Sequence, residues 1–327
     1  LPSLRKLAAA QPIIVPEGVT LTIEPGVNLN FMLSSSLKME GGTLIARGLP
    51  ALPIAMQAQT DIKWDGISFS ASKTILDEDG NYLSGSILDY VSVNMALKGL
   101  LLSDTSLLFA DHLTIINSDY GAYLQSGSTL HLFNSNIDQC SYGMYIKNSG
   151  SNIIDNCSVT NCDIGIFFPS NNISRFNRFT NNNLSYHTNI ALFMSIGQSN
   201  IQYNLIQGNT VAYNNIGIHI GNGGFNDQGF NVISSNIVQH NDIGIKLSQD
   251  SDTLSANVVE SNVTGILLTK ASYNHLINNI IQENSDWGLT LTDGSSRNYI
   301  STNGIYSNTS GVRVTYKDFK YSIENAF

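Results

Sequence analysis

The segment HNDIGIKL, His240–Leu247, has close relatives along the chain: YNNIGIHI at Tyr213–Ile220, SNVTGILL at Ser261–Leu268 and SNTSGVRV at Ser307–Val314. Aligning their glycines extends the pattern backwards. Gly99, Gly121, Gly143 and Gly165 follow one another at intervals of 22 residues, and Gly217, Gly244, Gly265, Gly288 and Gly311 continue the series. Ala191 stands in the gap between Gly165 and Gly217. One and three positions after each glycine the residue is apolar, as in Ile245 and Leu247 or Ile266 and Leu268. A period of two marks one face of a strand, and a unit repeating at this length marks a solenoid. Successive short strands with no helix between them must stack in parallel. The expected fold is therefore an all-β, single-stranded, right-handed parallel β-helix of roughly a dozen rungs of about 22 residues.

The asparagines fall into columns of their own. Asn236, Asn257 and Asn303 lie eight residues before their glycines, and Asn241, Asn262 and Asn308 lie three before. Asparagine tolerates left-handed backbone and bonds neighbouring main chain, so it suits coil corners. In register, such side chains bond from rung to rung. The repeated motif is thus read as architecture. An apolar pair such as Ile237-Val238 or Ile280-Ile281 precedes it.

Composition agrees. Of 327 residues, 13% are charged and the net charge is −9, with no basic run, so nucleic acid is not an expected partner. No apolar segment approaches the ~18 residues of a membrane span. The chain opens on Leu1 without a signal-peptide pattern, and we read it as a mature or trimmed piece. Three cysteines are too few for a disulfide scaffold. Cys140 and Cys162 fall at equivalent places in adjacent rungs, near enough for either a disulfide or a stacked pair of free thiols.

The opening segments differ from the regular repeats: IIVPEGVTLTIEPGVNLNF (Ile13–Phe31), LKMEGGTLIARG (Leu37–Gly48) and KWDGISFS (Lys63–Ser70). These resemble the first rungs of secreted and cell-surface β-helix proteins of the pectin-lyase-like superfamily. The later units resemble the repeats found there and in periplasmic NosD-type proteins. The resemblance implies an extracellular, cell-surface or periplasmic setting, often with polysaccharide as ligand or substrate. The expected organisation is an N-terminal cover at 1–12, the β-helix at 13–315 with a loop insertion at 71–86, and a tail or cap at 316–327.

The residue two after each glycine must face outward. That column includes Tyr123, Tyr145, Phe167, Phe193, His219 and Lys246, an expected exposed stripe on which sugar rings can stack. The alternative is aromatic packing that merely stabilises the sheet. At the same place three successive turns, 169–182, 195–208 and 221–235, are longer than the rest by about five residues. They would form a wall beside the stripe.

The superfamily's catalytic strings (Gly-His-Gly, Arg-x-Lys, Asp-Pro-His-Glu) are missing. Asp163, Asp227 and Asp242 are the nearest carboxylates for glycoside hydrolysis, although aspartate in turns is ordinary. The histidines show no paired metal spacing, so no metal is expected. Asp77, Asp79 and Asn81 in an acidic loop are a weak Ca²⁺ alternative to a solvated hairpin tip. The leading expectation is a non-catalytic scaffold or adhesion module that binds polysaccharide or a surface protein. The alternatives are a polysaccharide lyase or hydrolase on the three-loop wall, and a fibre unit associating end to end.

Overall fold

The computed structural model describes residues 6–170, 172–195, 200–221 and 228–315. The tail expected at 316–327 and Leu1–Arg5 of the expected N-terminal cover lie outside them. The chain divides into two compact units, Leu1–Cys162 and Asp163–Phe327. Each is a parallel β-solenoid, and together they make about 12 turns of about 24 residues. The coil is right-handed, the hand a right-twisted strand imposes on a parallel crossover. No helix occurs among the described residues.

Each turn contributes one strand to each of three sheets. In the first unit, sheet 1 runs from Lys6–Ala9 to Ser158–Thr160. Sheet 2 runs from Ile13–Pro16 to Tyr142–Lys147, and sheet 3 from Thr20–Ile23 to Ile153–Asp155. In the second unit the corresponding sheets end at Gly304–Tyr306, Ser310–Val314 and Tyr299–Ser301. Within the stretch expected as a cover, Lys6–Ala9 is itself a strand, paired in parallel with Asn28–Phe31. The insertion at 71–86 carries an antiparallel hairpin of Thr74–Leu76 and Tyr82–Gly85.

The inward columns form the core. Ile166, Leu192, Ile218, Ile245, Ile266 and Leu289 are fully buried, as are Phe168, Met194, Ile220, Leu247 and Leu268. Only the last turn departs from this, with Val312 at 39% exposure. In the preceding apolar pairs only the second residue is core: Val238 and Ile281 are fully buried while Ile237 and Ile280 are exposed. A strand's alternation sends the two to opposite faces.

The glycine column exists because the turns approach closely. A Cβ on Gly217 would stand 2.5 Å from the Gly244 carbonyl oxygen, and one on Gly244 would stand 2.6 Å from that of Gly265. Neither residue has a positive φ, so the constraint is space.

Three asparagine ladders line the corners of the second unit. One runs Asn182–Asn209–Asn236–Asn257–Asn279–Asn303. A second runs Asn214–Asn241–Asn262–Asn284–Asn308. The third is described below. In each step from one asparagine to the next residue of the ladder, the N–H and Nδ2 both donate to Oδ1, as Asn236 does to Asn257 at 3.0 and 2.9 Å. The left-handed residue is the one before the ladder position (Asn181, Ser235, Ala256, Asn278, Thr302), not the ladder asparagine itself.

In the first unit serine and cysteine take most of these places, and Asn152 Oδ1 accepts Leu130 N–H at 2.7 Å. Ser135 Oγ accepts Leu113 N–H at 2.9 Å. Cys140, Cys157 and Cys162 are buried free thiols. The Cys140 and Cys162 thiols are hydrogen-bonded to each other; that bond and burial raise the Cys162 pKa, and burial pushes Cys157 up to about 12. The same bond lowers the Cys140 pKa; because all three thiols are buried away from any reagent, the native protein is expected to give no reaction with a thiol-specific chromogenic disulfide at pH 8. Three thiols should titrate once it is unfolded in guanidinium. Rapid native labelling would contradict this packing.

Candidate binding site

Sheet 2 carries the outward column read from the sequence. In the first unit the register pairs Lys98 with Tyr120 and Tyr120 with Tyr142; beside them it pairs Leu101 with Tyr123 and Tyr123 with Tyr145. Tyr123 and Tyr145 stack at 4.7 Å between ring centroids, Tyr120 and Tyr142 at 5.2 Å, and Tyr120 meets Tyr123 edge-on at 5.1 Å. Lys98 Nζ lies 4.7 Å over the Tyr123 ring. Burial raises the hydroxyl pKa of Tyr120, Tyr123 and Tyr145, so these groups stay protonated hydrogen-bond donors.

In the second unit Phe167, Phe193, His219 and Lys246 follow one another in register. Phe167 and Phe193 are 5.4 Å apart, and Phe193 stacks on His219 at 4.7 Å and 11°. His219 is only 8% exposed. Its Nε2 lies 3.5 Å from Ser248 Oγ, and its buried Nδ1 has no hydrogen-bond partner among the described residues. Burial, then the neighbouring Lys246, push its pKa down to about 3. His219 is therefore neutral at physiological pH and ill-suited to proton transfer near pH 7. Lys246 is half-buried, burial lowers its pKa, and no ion pair engages it among the described residues.

The stripe differs from expectation in one respect. It is half-buried rather than exposed, and His219 is buried. Strands ~4.8 Å apart bring like-placed rings into face-to-face stacks, so the faces expected to receive sugars are covered by one another. Ring edges, the tyrosine hydroxyls and the Lys98 and Lys246 amines remain.

The three long turns are described in part. Ile173–Arg175 and Asn200–Gln202 pair in parallel as a small additional sheet. Gln202 Nε2 donates to the Gln228 carbonyl at 2.7 Å, carrying the alignment into the third turn. At these corners stand aromatic stacks missed by sequence reasoning. Phe176, Tyr203 and Phe230 stack at 5.6 and 5.4 Å, and Tyr186, Tyr213 and His240 at 4.9 Å each. All six have positive φ and are exposed. Bulky residues rarely take this backbone, and it carries a cost of ~1–3 kcal/mol each. The available signal was an aromatic directly before a ladder asparagine, as in Phe176-Asn177, Tyr203-Asn204 and Phe230-Asn231.

Asp163 and Asp242 are exposed and lie three turns apart, with Asn189 and Asn215 in the turns between. That is ~14 Å, beyond the ~5–9.5 Å of a glycosidase pair. Asp227 lies outside the described residues.

At the hairpin tip Asp77 Oδ1 accepts the N–H groups of Asp79 and Asn81 at 3.0 and 2.8 Å, and Oδ2 accepts Asn81 Nδ2 at 3.0 Å. The Asn81 bonds hold its carboxyl below the usual pKa. Asp89, Asp111 and His112 also converge, with His112 Nδ1 3.2 Å from Asp111 Oδ1 and 3.6 Å from Asp89 Oδ1. Asp111 Oδ1 already accepts His112 N–H at 3.0 Å and Asn134 Nδ2 at 2.8 Å, which fills its two lone pairs.

Residues 98–259 match the family described as a right-handed β-helix region, and residues 204–327 match that of NosD, a periplasmic copper-binding protein. Within 204–327 the histidines His219, His240 and His275 sit in different strands or corners, and no three metal-ligating side chains converge among the described residues. The residues present thus do not fit a copper centre there. Among solved structures, a double mutant of the periplasmic alginate epimerase AlgG matches with a TM-score of 0.61 at 14% identity, over 100% of this chain and 80% of that one. AlgG itself gives 0.59 at 14% identity, over 97% and 80%. Identity at this level shows the fold alone. No curated protein sequence gives a significant match.

Proposed function

We propose that the chain is a non-catalytic β-helix module that works in the periplasm or outside the cell and binds a carboxylate-bearing polysaccharide along the outer face of sheet 2. The observation that carries this reading is Lys246, a half-buried ammonium with no ion pair among the described residues. It adjoins His219, which stays neutral. A half-buried cation is costly unless a counter-charge arrives, and a uronate carboxylate supplies one. In the first unit Lys98 beside four tyrosines offers the same combination of amine and hydroxyl donors. The net charge of −9 opposes a polyanion at long range. At physiological ionic strength that repulsion is screened beyond ~8 Å, so local donors decide. The NosD family and AlgG are both described as periplasmic, which supports the setting. No helix among the described residues is long and apolar enough to cross a membrane.

The test is binding to a polyuronate and to a neutral glucan, with wild type, Lys246→Met and Phe193→Ala, while released reducing and unsaturated ends are followed. Expected are retention of the polyuronate by wild type, loss of about tenfold in Lys246→Met, weaker retention at high salt, and no product. Equal binding by Lys246→Met removes the proposal's anchor. Product release replaces it with an enzyme.

A further inference from the structure

The third ladder of the second unit runs Asn177–Asn204–Asn231–Asp252–Asn274–Asn298. Asp252 is the one acid in it. Its Oδ1 behaves as an asparagine's does, accepting the N–H and Nδ2 of Asn231 at 2.9 and 3.0 Å, and its own N–H donates to Asn274 Oδ1 at 2.8 Å. The second side-chain atom is where it differs. In the neighbouring turn Asn274 Nδ2 donates to Asn298 Oδ1 at 3.1 Å and to the Gln249 carbonyl at 3.1 Å. Asp252 places Oδ2, an acceptor, where that donor belongs. Oδ2 receives the Gln249 amide at 2.6 Å, which leaves Asn274 Oδ1 with the backbone N–H of Asp252 as its donor.

Burial penalises a charge here, although Asn231 and Gln249 donate to the carboxyl. Asp252 is fully buried, and the charged group facing it from its own corner is another acid, Asp250. From the preceding turn it faces Gly229, Phe230 and Asn231, none of them titratable at neutral pH. In the following turn the titratable residues Tyr273 and His275 are both exposed. No cation acts on it among the described residues.

We propose that Asp252 is held as the neutral acid, its Oδ2 proton completing the ladder by donation to Asn274 Oδ1, so that loss of that proton breaks the step that fastens the corner Gln249–Asp252 to Ser272–Asn274. Burial, the largest influence, pushes the carboxyl up to about 7, where it titrates within the physiological range. Its other oxygen, Oδ1, accepts from Asn231 in the third long turn. Ser248, beside Gln249, is the neighbour of His219 Nε2. The device is therefore a proton-sensitive clasp at the edge of the candidate site, and it does not depend on what that site binds.

The sign follows from linkage. The folded state holds a proton that the unfolded chain, with an ordinary carboxyl at 3.8, has lost. The stabilisation is complete below about pH 4 and is lost as pH rises through about 7. Across that window the folding constant of wild type should fall about tenfold per pH unit relative to Asp252→Asn, which restores an unbroken asparagine ladder. The experiment is urea unfolding of both proteins from pH 4 to pH 9, with amide exchange read at Ser251 and Asp252, whose N–H groups donate to the Ser272 carbonyl and to Asn274 Oδ1. Infrared spectra of the native proteins at pH 5.5 accompany it. Expected are converging stabilities at pH 4, a more stable variant at pH 8, and exchange at the two amides accelerating above pH 7 in wild type only. A protonated-carboxyl band should be present in wild type and absent from the variant. Parallel pH profiles, or spectra at pH 5.5 that do not differ in that band, would overturn the proposal.

Discussion

Asn236→Leu is expected to lower stability by roughly 2–6 kcal/mol, because two buried backbone groups lose partners at ~1–3 kcal/mol each. Asn236 is fully buried. Its Oδ1 accepts both the N–H and Nδ2 of Asn209 at 2.9 Å, and its Nδ2 reaches the Ile206 carbonyl and Asn257 Oδ1, each at 2.9 Å. Leucine keeps the branching of asparagine and is bulkier, so no cavity is left and any overpacking adds to the loss. Asn209 Nδ2 keeps its bond to the Phe179 carbonyl, and Asn257 Oδ1 keeps the N–H of residue 236. What is orphaned is Asn209 N–H and the side-chain bond to Ile206 C=O. Urea unfolding by far-UV circular dichroism reads the effect, as a midpoint shift because stacked repeats need not unfold in one step. A loss below about 0.5 kcal/mol would mean that water replaces the amide and that the ladder is not what holds these corners.

The second large effect lies in the first unit. Trp64 is fully buried, stacks on Phe31 at 4.0 Å and 8°, and donates its indole N–H to the Asn94 carbonyl at 3.0 Å. Removing that ring to alanine should cost about 3–5 kcal/mol through lost burial and the cavity left behind. Trp64→Phe keeps most of the apolar area and loses the hydrogen bond, so it should cost less, on the order of 1–3 kcal/mol. The chain's other tryptophan, Trp287, is half-buried beneath Arg313. The blue-shifted part of the emission is thus expected to belong to Trp64 and to vanish in both variants. Equal losses in the two would place the stabilisation in the indole bond rather than in the packing.

Much of this was legible in the chain itself. The glycine column, the apolar residues one and three positions later, and the asparagines eight and three positions before gave the strand period, the inward face and the corner ladders. The structure keeps all three. It corrected the finer reading at particular residues. The left-handed corner residue is Ser235 or Ala256, not the asparagine after it. Ile237 and Ile280 face out although both belong to apolar pairs. The outward column from Phe167 to Lys246 was located correctly in register, but its rings were expected to be open to a ligand.

Periodicity settles which side of a strand a residue takes, because alternation is a property of the backbone and acts over two residues. That made the solenoid, its core and its ladders a matter of sequence. Whether an outward ring presents its face or its edge depends on side chains a full turn away. So does whether Asp252 can bear a charge between Asn231 and Asn274. Those neighbours are brought together by stacking across more than twenty residues. Tertiary structure therefore decided which groups of the outer face stay uncovered and which acid is buried within a ladder.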